Sequence, residues 1–223
     1  MKEIDFMSSL HKSTKRDYLK RVNDPTFPKH KAAELAKKFD YDYWDGDRRI
    51  CYGGYKYIEG RWETISKKLI EYYSLPSKAK ILDVGCGKGY LLFDILKLLP
   101  DAEVYGIDIS NYAINNSKDE IKKNLIVGNA NKLPFEDDFF DIVISINTLH
   151  CLEAPNLFKS LKEIERVGKH HKYICVESYR NELEKANLLY WQVSCEAFNT
   201  PSEWLWWFDL AGYSGDYSFI YFE

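Results

Sequence analysis

Residues Ile81 to Ser110, ILDVGCGKGYLLFDILKLLPDAEVYGIDIS, constrain the fold more than any other stretch of this 223-residue chain. A short hydrophobic run ends in Asp83 and is followed by a loop with three alternating glycines. An amphipathic segment then leads into a second hydrophobic run, which ends in Asp108. The order predicts a strand, a glycine loop, a helix and a second, parallel strand. The three glycines are Gly85, Gly87 and Gly89.

The glycine loop and the two acids favour a ligand that contains adenosine. Glycines lack a Cβ, so the backbone can turn sharply and approach a ligand closely. The first amides of the following helix are unpaired and point towards that ligand. Asp108 lies where open α/β sheets bind ligands, at the end of a parallel strand. A carboxylate there can accept two charge-assisted hydrogen bonds from ribose hydroxyls.

The spacing of the glycines argues against a nicotinamide dinucleotide. A dinucleotide-binding loop has the pattern G-x-G-x-x-G, with its third glycine deeper in the helix. This chain has D-x-G-x-G-x-G instead, and Asp83 would repel a pyrophosphate. An acid at that position suits a ligand that carries an ammonium and a sulfonium. A dinucleotide oxidoreductase is therefore the weaker alternative on this scaffold.

These motifs resemble the class I S-adenosylmethionine (SAM)-dependent methyltransferases, over roughly residues 60–223. The segment Ile126 to Leu152, IVGNANKLPFEDDFFDIVISINTLHCL, is similar to the next block of that family. The family usually has an aspartate beside the adenine where this chain has Asn129. The amide loses the charge but keeps an oxygen that can accept from the adenine amino group.

The resemblance implies SAM as the cofactor and S-adenosylhomocysteine as its product. The glycine loop, with Cys86, would pass the methionine portion, and Asp83 would orient its ammonium. Asp108 would hold the ribose, and Asn147 would act as a ligand-orienting amide. The adenine would be framed by Ile109, Asn129 and Ala130.

Three residues at the ends of the later strands are the candidate catalytic residues: His150, Glu177 and Tyr179. Methyl transfer depends mostly on positioning, which can supply ~7–11 kcal/mol, and needs a base only when the nucleophile carries a proton. His150 fits a base or a substrate contact, or else a structural histidine bonded to a neighbouring carbonyl. Glu177 fits a substrate contact, or else a structural salt bridge with Arg180 or Arg61.

The aromatic segment from Tyr41 to Trp62 is predicted to be a long ordered loop that forms a lid over the substrate. Its aromatic side chains could exclude water and its arginines could bind a carboxylate or phosphate. The alternative is that the tyrosines pack the N-terminal helix onto the core. The candidate substrate-binding residues are Arg49, Tyr52, Tyr55, Tyr57 and Arg61.

The chain is expected to be an α/β protein with a doubly wound, mostly parallel sheet and an N-terminal helical and loop extension. Residues 1–62 would form the cap and residues 63–223 the SAM-binding domain. A helix is predicted at residues 64–75 and another at 201–213, and the pair His170–His171 is predicted to lie in a solvated turn. Strands are predicted at 80–84, 103–108, 124–127, 142–147, 172–178 and 217–223. The family usually closes its sheet with an antiparallel hairpin of two strands. This sequence has only one clear strand there, with at most a stub of the other at Tyr213–Ser214.

Composition narrows the partners and the compartment. The net charge is −3 with both signs interspersed, which argues against nucleic acid. No apolar run is long enough to span a membrane and no signal peptide is evident, so the expected location is cytoplasmic. Five scattered cysteines fit a reducing compartment and predict no metal site. The tryptophans at 204, 206 and 207 suggest core packing and a possible homodimer contact.

The sequence thus predicts a methyltransferase that acts on a small-molecule acceptor. A protein methyltransferase is one alternative, since a protein substrate needs only a groove. A non-catalytic binding subunit with the same fold is the other, although such a subunit has no need to keep the glycines and both acids.

Overall fold

The computed structural model describes residues 1–12, 16–22 and 24–223. A six-stranded sheet forms its centre, with the strand order β3-β2-β1-β4-β5-β6 and parallel pairing throughout. This confirms the doubly wound α/β fold that the alternation of strands and helices predicts. The strands are β1 Lys80–Val84, β2 Glu103–Asp108, β3 Leu125–Val127, β4 Phe140–Ile146, β5 Gly168–Glu177 and β6 Asp216–Ile220.

Helices cover both faces of the sheet, so the central strands are hydrophobic on both sides. Ile81 packs in the hydrophobic cluster on one face, whereas its neighbour Leu82 packs in the cluster on the other. The helices before β5 are α1 Ser8–Lys12, α2 Tyr18–Val22, α3 Lys29–Ala36, α4 Tyr41–Trp44, α5 Glu63–Tyr72, α6 Tyr90–Leu98, α7 Asn111–Asn115, α8 Asp119–Lys122, a 3₁₀ turn at Leu149–Cys151 and α9 Ala154–Val167. After β5 come α10 Glu182–Trp191 and α11 Pro201–Ala211.

The start of β5 corrects one prediction. The strand begins at Gly168, so His170 and His171 belong to it and the predicted turn is wrong. Pairing with β4 extends the strand, since Gly168 lies opposite Phe140 and His171 opposite Ile142. The ring of His171 also lies 5.0 Å from that of Tyr73, which covers it.

The sheet ends differently from the hairpin that is usual in the family. β6 pairs parallel to β5, and α10 and α11 form the crossover that a parallel pair requires. Tyr213 and Ser214 follow the C-cap Gly212 of α11 and form no strand stub. The outer edge of β6 is partly covered by the N-terminus, because the Ile4 amide donates to the Tyr217 carbonyl at 2.8 Å.

The N-terminal segment packs directly against the sheet domain. Phe6 and Met7 lie in the same hydrophobic cluster as Ile81 of β1. A third cluster joins Trp44 of α4 to Ala113 of α7. The aromatic segment predicted to be a loop throughout therefore begins with a short helix, capped by the side chain of Asp40.

The tryptophans of α11 differ in their exposure to solvent, because successive residues of one helix point in different directions. Trp204 is fully buried and its indole donates to the Glu177 carbonyl at 3.0 Å. Trp206, two residues later, is 57% exposed. Core packing therefore accounts for Trp204 and leaves Trp206 on the surface.

Candidate functional site

A deep cavity lies at the carboxyl edge of the sheet, where β1, β2 and β4 end. This is the edge at which parallel sheets bind ligands. All ten residues predicted to bind the cofactor lie at this edge, and nine of them line the cavity. The nine are Asp83, Gly85, Cys86, Gly87, Asp108, Ile109, Asn129, Ala130 and Asn147.

The glycine loop has conformations and close contacts that only glycine accommodates. Gly85 and Gly87 have φ angles of 81° and 54°. A Cβ on Gly85 would lie 2.0 Å from Oγ1 of Thr148, and one on Gly87 would lie 2.7 Å from the ring of Trp44. Gly89, the one predicted cofactor residue that does not line the cavity, has a φ of 71° and is the N-cap of α6. Thr148 and Trp44, which also line the cavity, therefore pack tightly against the loop.

The two acids differ in their surroundings. Asp108 accepts the amide of Gly87 at 2.7 Å and the amide of Ser110 at 2.8 Å. Burial raises the pKa of Asp108, and those two amides lower it. Burial, and then the charge of Asp108, raise the pKa of Asp83 to about 8. A bound cation would relieve this repulsion and ionise Asp83.

The side of the cavity expected to receive adenine is open. Ile109 is 56% exposed there, which leaves an apolar surface for a flat ring. The Oδ1 atom of Asn129 accepts the amide of Asn131 at 3.1 Å, which fixes the direction of the side chain. One lone pair of that oxygen remains for a ligand donor.

Asn147 stands between this cavity and a second one. It lines both, its φ of 57° is a left-handed conformation, and its amide donates to the Cys175 carbonyl at 2.9 Å. Its Oδ1 atom is buried and has no hydrogen-bond partner among the described residues. A strained residue with a buried unsatisfied oxygen is a common feature of ligand sites.

The second cavity adjoins the first and extends beneath the N-terminal segment. The two share a wall made by Tyr43, Tyr52, Tyr55, Trp62 and Asn147. Further lining residues come from the N-terminus, from the end of β5 and from the segment after α10. They include Met7, His11, Arg16, Arg48, Arg61, His150, Glu177, Trp191 and Gln192.

Glu177 and His150 form a buried pair in the wall of the second cavity. Glu177 is 5% exposed and His150 is 2% exposed. His150 Nδ1 accepts the backbone amide of Glu177 at 3.3 Å, so a neutral ring carries its proton on Nε2. That Nε2 atom lies 3.4 Å from Glu177 Oε2, a distance too long for a good hydrogen bond.

Burial sets the protonation of this pair. It raises the pKa of Glu177 to about 8 and lowers the pKa of His150 to about 3. The amide of Gln192 donates to Glu177 Oε1, which leaves Oε2 without a hydrogen-bond partner among the described residues. The pair is therefore mostly neutral at pH 7, and Glu177 Oε2, which carries the proton in that state, is available to a ligand.

A polar latch holds the aromatic segment against the glycine loop. Asp45 accepts Nζ of Lys88 at 2.7 Å, the hydroxyl of Tyr112 at 2.8 Å and the amide of Tyr55 at 2.9 Å. Lys88 is 4% exposed and also donates to the Tyr55 carbonyl at 2.9 Å. Nearby, the indole of Trp44 donates to Ser110 Oγ at 2.9 Å.

Comparison with known proteins identifies the family. Residues 75–212 match the model of a methyltransferase domain, which is more than half of the chain. The chain belongs to the class I SAM-dependent methyltransferase family. The matched range contains the glycine loop, both acids and the Glu177–His150 pair.

The methyltransferase relatives differ in their acceptors. An uncharacterized methyltransferase of Schizosaccharomyces pombe is 31% identical, over 51% of this chain and 44% of that protein. A tRNA (carboxymethyluridine(34)-5-O)-methyltransferase of Arabidopsis thaliana is 36% identical, over 52% of this chain and 28% of that protein. A demethylmenaquinone methyltransferase of Symbiobacterium thermophilum is 33% identical, over 53% of this chain and 50% of that protein. The chain thus spans half or less of the length of these relatives.

Solved structures share the fold. The YcgJ protein of Bacillus subtilis superposes with a TM-score of 0.52 at 20% identity, over 66% of each chain. A methyltransferase-like structure from Bacillus halodurans gives 0.52 at 21% identity, over 66% of this chain and 68% of that one. Within the described residues, no helix has both the length and the apolar character needed to cross a membrane.

Three candidate residues of this methyltransferase domain and its cap lie elsewhere. Arg49 pairs with Asp47 at the surface, Tyr57 donates to Asp94 on α6, and Tyr179 packs in a hydrophobic cluster. The described residues that line the two cavities include none of these three. Successive loop residues point in different directions, so the neighbours Arg48 and Tyr55 line the second cavity while Arg49 and Tyr57 do not.

The contacts of Glu177 and His150 differ from those that the structural alternatives name. Arg180 pairs with Glu184 and with Glu223, not with Glu177. His150 accepts a backbone amide through Nδ1 instead of donating to a neighbouring carbonyl.

Sequence reasoning missed several lining residues, because only the fold brings them to the site. Arg16 and Trp191 are far apart in the chain, yet the guanidinium lies 5.4 Å from the ring centroid. Gln192 follows the end of α10, and no motif marks it. The aromatic density around Trp44 was the available signal for that residue.

Proposed function

We propose that this chain binds SAM in the first cavity and methylates a small molecule held in the second. The observation that carries the proposal is the shared wall of the two cavities, since Asn147 and four aromatic residues face both. A methyl donor and an acceptor placed on either side of that opening would meet directly.

The residues of the first cavity fit SAM. Asp83 is a buried acid that a nearby ammonium would ionise, and Asp108 is fixed by two amides where ribose hydroxyls can reach it. The loop at Gly85 and Gly87 leaves no room for side chains beside the methionine portion. When bound, SAM supplies a methyl group on a sulfonium and leaves as neutral S-adenosylhomocysteine.

Residues of the second cavity would hold the acceptor and manage its proton. Glu177 would act as the general base through Oε2. Its carboxylate form becomes populated as the pH approaches about 8. His150 would act as a positioning residue, since its ring packs against Glu177 and fixes the carboxyl plane. The wall of tyrosines and tryptophans would exclude water.

The N-terminal segment favours a small acceptor over a macromolecule. Residues 1–62 would form a cap over the domain of residues 63–223, and Met7, Leu10 and Arg16 from this cap line the second cavity. A macromolecular substrate would need this cover displaced. The names of the relatives range from a tRNA methyltransferase to a demethylmenaquinone methyltransferase, whereas the covered second cavity favours a small acceptor.

The test is transfer of labelled methyl groups from SAM into a cell extract separated by mass. Label in the low-mass fraction is the expected result, and mass spectrometry would then identify the acceptor. Label confined to the macromolecular fraction would overturn the substrate class. The Asp108→Ala variant is the control for transfer that depends on the proposed site.

A further inference from the structure

The charges around the second cavity are arranged unevenly. Among its described lining residues, three arginines lie in or near the N-terminal cap, and Glu177 is the carboxylic acid at the sheet edge. Arg16 and Arg48 lie 5.4 Å and 5.8 Å from the same ring centroid, that of Trp191. We call the part of the cavity beside Arg16 and Arg48 its cationic end and the part beside Glu177 its carboxyl end. Arg61 also lines the cavity, and the charge of Arg16 reaches Glu177, where it lowers the pKa of that acid.

Glu177 is the carboxylic acid among the described lining residues, and its close ion-pair partner is His150, not Arg48 or Arg61. Burial lowers the pKa of His11 to about 4, so His11 adds no charge at neutral pH. Burial raises the pKa of Glu177 to about 8, so its carboxyl group is largely neutral and offsets little of the arginine charge. Arginine guanidinium groups favour carboxylate and phosphate partners, because two N–H groups match two oxygens.

The carboxyl end suits a hydroxyl or amino group, which can donate to Asn147 Oδ1 and to the ionised form of Glu177. Glu177 Oε2 and Asn147 Oδ1 are buried acceptor atoms without hydrogen-bond partners among the described residues. Both lie on this cavity, at the ends of the adjacent strands β5 and β4. A ligand hydroxyl or amine would recover the cost of leaving such a buried acceptor unsatisfied. Once Glu177 ionises near pH 8, it would also repel an anion placed beside it.

We propose that the acceptor is a small acid with a carboxylate or phosphate group that binds the arginines and a separate hydroxyl or amino group that donates to Glu177 and Asn147. This inference rests on the proposed function, and it adds the polarity and the orientation of the substrate. The group at the carboxyl end lies next to the wall shared with the first cavity, so it is the one methylated.

The first experiment separates labelled low-mass product on an anion exchanger at pH 7. Retention of the label is expected, because the acidic group survives methylation of the other end. Phosphatase treatment distinguishes the two acids: a phosphate loses its retention and a carboxylate keeps it. Label that flows through overturns the inference, while the proposed function stands. Alkali release of that label as methanol would show that the acid itself was methylated.

A second experiment tests the cationic end without turnover. Calorimetry with citrate and with pyrophosphate, on protein saturated with S-adenosylhomocysteine, should show binding of at least one of these anions. Arg48→Gln and Arg61→Gln should each weaken that binding by about tenfold. Arg49→Gln is the matched control, because Arg49 pairs with Asp47 outside the cavity and should leave affinity unchanged.

The two experiments separate the possible failures. Anion binding that all three variants retain equally, or no saturable binding of either anion, overturns the cationic end. Anion binding that only the two cavity variants lose, together with no labelled low-mass product, supports the anion site and overturns the proposed transfer to a small molecule.

Discussion

Asp83 shows most directly how a single residue can report on the cofactor. Its carboxyl group has a pKa of about 8, because burial and the neighbouring Asp108 disfavour its charge. A cation bound beside it would favour the charge and lower that pKa. At pH 7 the acid would therefore change from mostly protonated to ionised when SAM binds.

We expect SAM binding at pH 7 to release close to one proton from Asp83, because an acid with a pKa of about 8 is mostly protonated at that pH before the ligand binds. Calorimetry in two buffers with different ionisation enthalpies measures the proton count. The Asp83→Asn variant should bind SAM more weakly and should release about one proton fewer than the wild type. Any protons released by SAM itself contribute equally to both proteins and cancel in this comparison. Equal proton counts would exclude the role of Asp83 beside the ammonium.

Asp108 tests the ribose role separately. Asp108→Ala should weaken SAM binding by at least about tenfold, because it removes charge-assisted hydrogen bonds and also the acceptor for the Gly87 amide. Glu103→Ala, at the exposed start of the same strand, is the control and should bind normally. Unchanged affinity in Asp108→Ala would refute the assignment.

Glu177 makes a prediction about pH. Because its carboxylate predominates only above a pKa of about 8, kcat/KM should rise with pH through that value if Oε2 accepts the substrate proton. Glu177→Gln should be slow, without that rise. The exposed Glu196, which pairs with Lys37, supplies the control Glu196→Gln. A wild-type profile that is flat between pH 6 and about 9 would exclude Glu177 as the base.

The same raised pKa values affect stability. Asp83 and Glu177 hold protons in the folded state at pH values where the unfolded chain has lost them. Their contribution to the free energy of unfolding is fully present below about pH 4 and is lost as the pH rises to about 8. Binding of SAM should reduce this loss, because it favours the ionised form of Asp83.

At the scale of elements, two glycines allow the cost of a left-handed backbone to be measured separately from the cost of a steric clash. Gly85 and Gly212 have φ of 81° and 71°, but only a Cβ on Gly85 would collide with a neighbour, Thr148. Gly212→Ala should therefore lower the free energy of unfolding by the left-handed cost alone, about 1–2 kcal/mol. Gly85→Ala should lose about 1–3 kcal/mol more, from overpacking. Denaturant titration compares them, and equal losses would mean that Thr148 moves aside freely.

The strands were predictable where local pattern decides them. β1 and β2 have the predicted boundaries, since each is a hydrophobic run with an acid at or next to its last residue. The direction of β6 and the length of β5 were not predictable, because both depend on pairing with distant residues. The pair His170–His171 appears polar and turn-like in the sequence, but its backbone pairs with β4 and Tyr73 packs on one ring.

The positions of the residues around the first cavity were predictable for a similar reason, and the positions of many residues around the second cavity were not. Parallel strands bring their carboxyl ends to one edge, so Asp83, Asp108 and Asn147 meet without further information. The acceptor cavity also draws on the N-terminal segment and on the turn after α10, whose positions no periodicity encodes. Arg16 and Gln192 therefore carried no signal in the sequence.

At the scale of the whole molecule, the aromatic segment is held against the glycine loop beside the first cavity. Trp44 covers Gly87, and the Asp45–Lys88 ion pair lies beneath the aromatic segment. SAM enclosed by this arrangement would be sheltered from water, which favours methyl transfer over side reactions. Such closure also requires that the cap open for the cofactor to enter and the product to leave.

Removing the latch should therefore change exchange of the cofactor more than the fold. Asp45→Asn leaves the ammonium of Lys88, which is 4% exposed, without its counter-charge, and a buried charge left unpaired is costly. We expect S-adenosylhomocysteine to dissociate about tenfold faster and limited proteolysis between Tyr52 and Arg61 to accelerate. Asp47→Asn breaks only the exposed pair with Arg49 and is the control.

The ligand response of the cleavage rate decides whether the segment is a lid. In the wild type, saturating S-adenosylhomocysteine should slow proteolysis between Tyr52 and Arg61, because the ligand and the latch stabilise the same closed state. In Asp45→Asn the protection should be smaller, since the closed state starts from a lower population. If the ligand does not change the cleavage rate in either protein, the aromatic segment does not open and is not a lid. The cofactor would then have to enter past Ile109, the exposed apolar residue at the open side of the cavity.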